Sequence, residues 1–294
     1  MRTARDVQSP ARRAADAAAQ AAGVRVRRLG TPEEALAVRD LLTRIWGRGD
    51  EPVVTAEWLR VLGFVGGYVH GAFAGDTLVG ACVALATIEA RSPRAGLHSH
   101  VTGAVPHPGT RAVGFALKVD QRAWALERGL RDVTWTFDPL VRRNAHLNLA
   151  KLGAEPVAYL PDFYGEMTDD INAGQGSDRL LLRWDLGAAT VTDACAGHPW
   201  SPPVPPNARP ALAVDADGGP VAVAWSPSAE ALLVHVPDDV EALRRRRPEV
   251  ARAWRHAVRD VFTGLFADGW TVAGFVDRSG YLLLPARGAA AAPR

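Results

Sequence analysis

His98 and His100 sit two residues apart in Leu97–Val105, an apolar and β-branched stretch bounded by Gly96 and Pro106 that reads as a strand. On a strand the two imidazoles share one face and Ser99 takes the other. Such a pair suits proton transfer near neutral pH, and it equally suits two hydrogen-bonded histidines beneath a helix. Both readings stand at this point. Asp138 follows the apolar run Val133–Phe137. At the end of a central strand it would bind an ammonium or act as a base; with Pro139 it would cap the next turn. Arg142 and Arg143, with Asn144 beside them, would hold a carboxylate or form a solvated basic face. Glu89, at the end of another apolar run, is a substrate contact or a solvated carboxylate. Arg244–Arg247 would attract a phosphate or simply face water.

The elements that position these groups follow from periodicity. After Val105, the Pro106–Arg111 turn leads into Ala112, Ala116, Val119, Ala123 and Leu126, spaced as one stripe of a helix. A turn that delivers free amides at a helix N-terminus is an anion site, fit for a pyrophosphate. Upstream, Val24–Leu29 alternates as an edge strand does, and Thr31-Pro32-Glu33-Glu34 starts a helix running to about Trp46. A short helix over Thr55–Leu62 precedes a hairpin, Tyr68–Ala74 and Leu78–Ile88, turned at Gly75-Asp76. Val133–Phe137 is a strand, Asn144–Gly153 a helix and Leu180–Leu186 a strand. Beyond lie strand-like runs at 211–214, 221–225 and 231–236, a helix over about 240–267 and a strand pair within 271–284.

Around the turn the chain resembles the GNAT superfamily of acyl-CoA N-acyltransferases. That signature is a strand ending in Val, then Gln/Arg-x-x-Gly-x-Gly/Ala opening a helix. Val105 matches the strand end, and Gly109, Ala112 and Gly114 occupy the signature positions. Gly114 matches strictly; Gly109 replaces a long polar side chain, and Ala112 replaces a glycine on the expectation that alanine at a helix start needs no special dihedral. Downstream, Ala145, Lys151 and Gly153 fit the pattern Ala-x-x-Leu-Tyr-x-Lys-x-Gly, with Leu149 in the tyrosine's place. WTFDPLVRRN and YLPDFYGEM are similar to a poorly characterised branch of predicted acetyltransferases.

The resemblance covers about residues 24–186. It implies an α/β (α+β) fold, a mixed and mostly antiparallel sheet flanked by helices, to which the runs beyond residue 210 add a C-terminal α/β extension. It implies transfer of an acetyl or succinyl group from acyl-CoA to the amine of a small, amino-acid-like molecule by direct attack. The co-substrate, acetyl-CoA or another acyl-CoA, would lie on Gly103, Val105, Gly109, Thr110, Arg111, Ala112, Val113 and Gly114. An N–H within Gly103–Val105 would polarise the thioester carbonyl. His100, His98, Asp138 and Tyr164 are the candidate proton-handling groups, with His100 preferred. Tyr164 would stand in for the missing helix tyrosine or pack as an aromatic. Glu89, Arg142, Arg143 and Asn144 would contact the acceptor. Two rivals stay open: a GNAT-like module that binds acyl-CoA without turnover, and a decarboxylase or lyase on the same scaffold using the histidine pair.

Composition is compatible with this picture. The 294 residues, 48% hydrophobic and 22% charged, can bury a large core. A formal net charge of +2 gives no case for nucleic acid. Lys118 and Lys151 are the only lysines. Cys82 and Cys195 form no metal-binding spacing, so no metal is expected, and Cys82 reads as an inert buried thiol. No apolar run suits a membrane span and no secretory signal is evident; a cytoplasmic monomer or homodimer is expected. The expected division is a loose tail or frayed helix over 1–23, the acyltransferase domain over 24–186, a Pro-rich linker over 187–210, and an extension over 211–294 packed on the first domain.

Overall fold

A computed structural model describes residues 8–46, 52–88, 95–165, 176–226 and 228–286. The chain forms two compact units, residues 1–135 with 184–198 and residues 136–183 with 199–294. The expected boundary after residue 186 is thus replaced by one that falls within two strands. The reason lies in the second unit, where residues 136–183 find their packing partners in the C-terminal third.

The first unit opens on helix α1, Pro10–Ala22, rather than on a loose tail. Ser9 caps its start by accepting from the Arg12 amide, and Gly23 ends it in the left-handed region at φ 71°. Strand β1 (Arg25–Arg28), helices α2 (Pro32–Trp46) and α3 (Ala56–Phe64), and strands β2 (Tyr68–Ala74), β3 (Thr77–Ile88) and β4 (Ala95–Ala104) follow. Thr31 and Glu34 form a reciprocal cap on α2, with the Glu34 amide 3.2 Å from Thr31 Oγ1 and the Thr31 amide 3.0 Å from Glu34 Oε2. Helix α4 (Val113–Leu126) then leads to strand β5, Asp132–Phe137. The strands lie in the order β1-β2-β3-β4-β5, antiparallel except where β5 runs parallel to β4. This is the mixed, mostly antiparallel sheet with flanking helices that the resemblance implies.

Helix α4 is buried on every side, from Ala116 through Ala125. A helix so enclosed must satisfy each polar side chain internally. Asp120 accepts from Tyr68 Oη at 2.7 Å, contacts His70 Nδ1 at 2.8 Å and pairs with Arg12 of α1 at 2.5 Å. Burial alone would raise the Asp120 carboxyl, but its bond to His70 and the neighbouring charge hold it below the usual range. Arg122 donates to the Leu186 carbonyl and to Thr192 Oγ1 of helix α6, Ala189–Cys195.

In the second unit, helix α5 (Arg142–Ala145) continues into a π-helical turn, His146–Lys151, where one regular helix is expected. Strand β6, Glu155–Leu160, which the sequence reading misses, pairs antiparallel with β7, Arg179–Asp185. A second sheet is built from β8 (Arg209–Val214), β9 (Pro220–Ala222), β10 (Leu232–His235), β11 (Trp270–Val276) and β12 (Gly280–Pro285), ordered β11-β12-β10-β8-β9. The helix expected over 240–267 is two helices, α7 (Val240–Arg246) and α8 (Pro248–Ala267). Pro248 forces the break, because the residue before a proline is pushed out of helical geometry, and Arg247 sits at φ −143°, ψ 65°. Trp254, Val258, Val261, Phe262 and Leu265 bury the inner face of α8. The ring of Phe262 stacks on Tyr159 of β6 at 5.7 Å, and Tyr281 Oη donates to the Pro139 carbonyl at 2.7 Å. The C-terminal third thereby packs on residues 136–183.

Asp138 anchors this unit. Its Oδ2 accepts from Arg244 at 2.6 Å and Arg255 at 2.7 Å, and its Oδ1 caps the Leu140 amide at 3.0 Å. Burial opposes the charge, yet Arg255 and Arg244 outweigh it and keep the carboxyl well below the usual range. Asp138→Ala should lower unfolding free energy by about 3–5 kcal/mol, the usual cost of removing one partner of a buried pair. Urea denaturation followed at the tryptophans checks this. Because the folded carboxyl is depressed, its contribution is fully present above the unfolded value of about 4 and is lost as pH falls. The variant should therefore show a flatter stability curve below pH 4.

Candidate functional site

The candidate site is built on β4, which pairs with β3 along its whole length but with β5 only briefly. Among the described residues, β4 and β5 pair at Leu97–Val133 and His98–Thr134. Between Ser99 and Val101 the β3–β4 register shifts, so that His100 is an extra residue, a β-bulge. Strict alternation would put Ser99 and Thr102 on opposite faces. The bulge brings both to Cys82, whose Sγ lies 3.9 Å from Ser99 Oγ and 3.1 Å from Thr102 Oγ1.

Beyond the bulge the backbone direction is set by one bond, Val105 N–H to the Val79 carbonyl at 2.9 Å. Antiparallel pairing alternates, so the amides of Val101 and Gly103 turn toward β3 with that of Val105. The N–H groups of Thr102 and Ala104 then face the opposite edge, past the last β4–β5 pair. Within Gly103–Val105, the stretch expected to hold a carbonyl-polarising donor, only the Ala104 amide faces away from β3, with that of Thr102 one pair earlier. Gly103 itself is needed for packing: a Cβ there would lie 2.7 Å from Trp46 and 2.8 Å from Ile45. That face is closed by α2.

The turn after β4 differs from expectation in two respects. Ala112 lies in the left-handed region at φ 49°, ψ 33°, a conformation that disfavours alanine, so a special dihedral is required there after all. The amides of Thr110 and Arg111 do not point into a shared anion site, because they donate to the His107 carbonyl at 3.1 Å and the Ala22 carbonyl at 3.2 Å. The amides of the first turn of α4, Val113, Gly114 and Phe115, have no helical acceptor by geometry. A Cβ on Gly114 would meet nothing within 4 Å. Gly109 supplies a positive φ of 77°, and its carbonyl would lie 2.5 Å from a Cβ on Gly23, so the turn is seated tightly against the end of α1.

His98 Nδ1 lies 3.0 Å from Thr134 Oγ1, and the exposed His100 presents its ring edge-on to Trp58 of α3 at 5.7 Å. Desolvation lowers both pKa values below 6.5, with His100 and the Lys118 ammonium adding to the effect on His98. Both rings are neutral at pH 7 and able to accept a proton.

The other expected site residues lie elsewhere. Asp138 is locked between two guanidiniums, so it caps a turn and holds an ion pair instead of acting as a base. Arg244, expected on an exposed face, is buried against it. Arg142 donates to the Val236 carbonyl and pairs with Asp238, and Arg143 grips Glu241 through two bonds of 2.5 and 2.6 Å. Asn144 is half-buried, its amide bonded to the Val141 carbonyl at 3.0 Å. Tyr164 is exposed, its hydroxyl 3.4 Å from Thr136 Oγ1 and its ring beneath the Arg179 guanidinium. Leu149, in the π-helical turn, is buried. Glu89 lies outside the described residues. Among the described residues no cluster of three or more His, Cys, Asp or Glu is placed to hold a metal, and no helix is long and apolar enough to cross a membrane.

A polar chain that is not foreseen from the residues runs beneath β4. Lys118 Nζ donates to Gln121 Oε1 at 2.8 Å, and Gln121 Nε2 donates to Cys82 Sγ at 3.2 Å. The ammonium stands 3.7 Å from the centroid of Trp135 on β5 and 5.5 Å from that of Trp184. One of only two lysines, set with Asp120, Gln121 and Arg122 among the apolar residues of α4, is the signal in the sequence.

No family model matches the sequence, and no curated relative does. Solved GNAT-family acetyltransferases are among the structures the chain is similar to. An acetyltransferase of the GNAT family from Streptococcus pneumoniae aligns at 17% identity over 56% of this chain and 99% of that one, TM-score 0.44. Structures of yncA from Salmonella typhimurium with its cofactor acetyl-CoA (13%, 56% and 95%, TM-score 0.46) and of aminoglycoside 6'-acetyltransferase type Ii (18%, 56% and 98%, TM-score 0.44) align similarly.

The buried ammonium makes a testable demand on stability. Desolvation lowers the Lys118 pKa from 10.5 to about 8. At neutral pH the charged form is carried at a cost on the order of 3 kcal/mol. A folded pKa below the unfolded one means that folding releases a proton between about pH 8 and pH 10.5, so this term favours folding increasingly as pH rises through that window. Lys118→Met should remove that rise. Denaturant titrations of both proteins at pH 7 and pH 10 measure it, and equal pH dependence in the two would show that the lysine is not desolvated.

Proposed function

We propose that the protein transfers an acyl group from acyl-CoA to the amine of a small, amino-acid-like molecule. The observation that carries this reading is the free edge of β4, where Thr102 and Ala104 amides face away from β3 just ahead of an anion-accepting helix start. An extended thioester ligand with a pyrophosphate needs that pairing of an amide-bearing edge and a helix N-terminus in series.

In this mechanism a neutral amine attacks the thioester carbon, and the carbonyl oxygen takes up charge toward a β4 amide, which acts as a preorganised donor. His100 accepts the proton lost by the attacking nitrogen. The intermediate collapses with cleavage of the carbon–sulfur bond, and the leaving thiolate takes the proton that the His100 imidazolium gives back. Binding, polarisation and proton removal each have a group in the first unit, and no covalent enzyme intermediate is required.

Release of free thiol from acetyl-CoA or succinyl-CoA, dependent on an added amine, tests the activity. Binding without amine-dependent release supports a non-catalytic binding module instead. Gly114→Glu should abolish acyl-CoA binding through bulk and like charge while leaving the melting temperature of the free protein unchanged, since its Cβ points into open space. Unaltered affinity in that variant would reduce the loop to an ordinary turn.

His100→Ala should lower turnover by about 10²–10⁴-fold with little change in acyl-CoA binding, the range usual for a general base. Because the His100 pKa is lowered, wild-type turnover should hold through neutral pH and fall only below pH 6.5. A variant with normal turnover and an unaltered acid limb would remove His100 from the mechanism.

A further inference from the structure

Lys118 is 4% exposed, and among the described residues every group that acts on its ammonium is uncharged at neutral pH. These are Gln121 Oε1, the rings of Trp135 and Trp184, and the thiols Cys82 and Cys195, with the neutral His98 further off. The other buried charges of α4 are treated differently. Asp120 has Arg12, and Arg122, whose partners are likewise neutral, spreads its charge over three bonds to a carbonyl and a hydroxyl, where the Lys118 ammonium has one hydrogen bond. A cation sunk this far is costly unless something of opposite charge answers it.

The position of the ammonium says where the answering charge would arrive. Lys118 lies in the second turn of α4, within one turn of the free amides at the helix start. Its contact ring, Trp135, is the first β5 residue beyond the last β4–β5 pair, at His98–Thr134. The ammonium therefore stands where the two strands cease to pair, under the edge assigned to the thioester. Gln121 is held by Cys82 on one side and so presents its carbonyl oxygen, not its amide, to the lysine.

We propose that Lys118 receives a carboxylate at the far end of the acyl group, so that the co-substrate is the CoA thioester of a short dicarboxylic acid. This rests on the acyl-transfer reading of the same site. The acyl carboxylate replaces neutral contacts with a charge-assisted bond in a dry environment, where such bonds are strongest. Acetyl-CoA leaves the ammonium as it stands in the free protein and gains nothing there.

Affinities of the full chain for acetyl-CoA, succinyl-CoA and glutaryl-CoA, measured by calorimetry, test the assignment. Wild type should bind one of the diacid thioesters at least about ten-fold tighter than acetyl-CoA, the effect expected of a bond to a buried charge. Lys118→Met and Lys118→Gln should both collapse that ratio toward one. Independently of any variant, the wild-type ratio should shrink between pH 7 and pH 10 as the ammonium deprotonates. The neighbouring thiols stay neutral over most of that range, since burial pushes Cys82 up and Cys195 to about 11. Equal wild-type affinities for acetyl and diacid thioesters would overturn the inference and leave acyl transfer standing. A ratio that survives in both variants would overturn the role of Lys118. Absence of binding and of thiol release with all three thioesters would overturn both readings.

Discussion

The structure depends on one mismatch between neighbouring strands. β4 must stay paired with β3 to hold the first unit together, yet it leaves β5 after two residue pairs. The extra residue at His100 is what reconciles the two demands. It bends the strand, returns it to register with β3 at Val101, and turns Ser99 and Thr102 alike toward Cys82. A sheet that stayed paired to its end would have no free amides to offer a ligand. Past the last β4–β5 pair the amides of Thr102 and Ala104 face away from β3.

Helix α4 bears the second constraint. It must present free amides at its start and also fill the interior behind β3, β4 and β5. Its polar residues are therefore each matched to a neighbour: Asp120 to Tyr68, His70 and Arg12, Gln121 to Cys82, Arg122 to Leu186 and Thr192. These matches fix the rotation of the helix about its own axis more sharply than its many alanines can, because small apolar side chains tolerate sliding and hydrogen bonds do not. Lys118 has a single hydrogen-bond acceptor in this set, Gln121, and stands over two indole rings.

Much of this was legible in the residues. The strand–turn–helix at Leu97–Leu126 was set by periodicity, and the resemblance carried by Val105, Ala112 and Gly114 led to the right sheet. What escaped was decided by long-range contacts. Asp138 looked equally like a base and a cap, and its two arginine partners lie more than a hundred positions away. The break at Pro248 is visible in principle, since a proline pushes the residue before it out of helical geometry. The bulge at His100 leaves no mark in composition, since alternation of burial continues through it. Ala112 misled because an alanine in a left-handed conformation is held there by its surroundings, not by its own preference.

Those surroundings include the N-terminal helix. The end of α1 accepts a bond from the Arg111 amide at Ala22, and Gly23 touches the Gly109 carbonyl so closely that only a glycine fits. The segment that looks most dispensable on paper is thus half of a mould, and the turn at 106–112 is cast against it. A protein shortened to begin at the first strand would keep every residue of the signature motif and lose the shape that gives the motif its meaning.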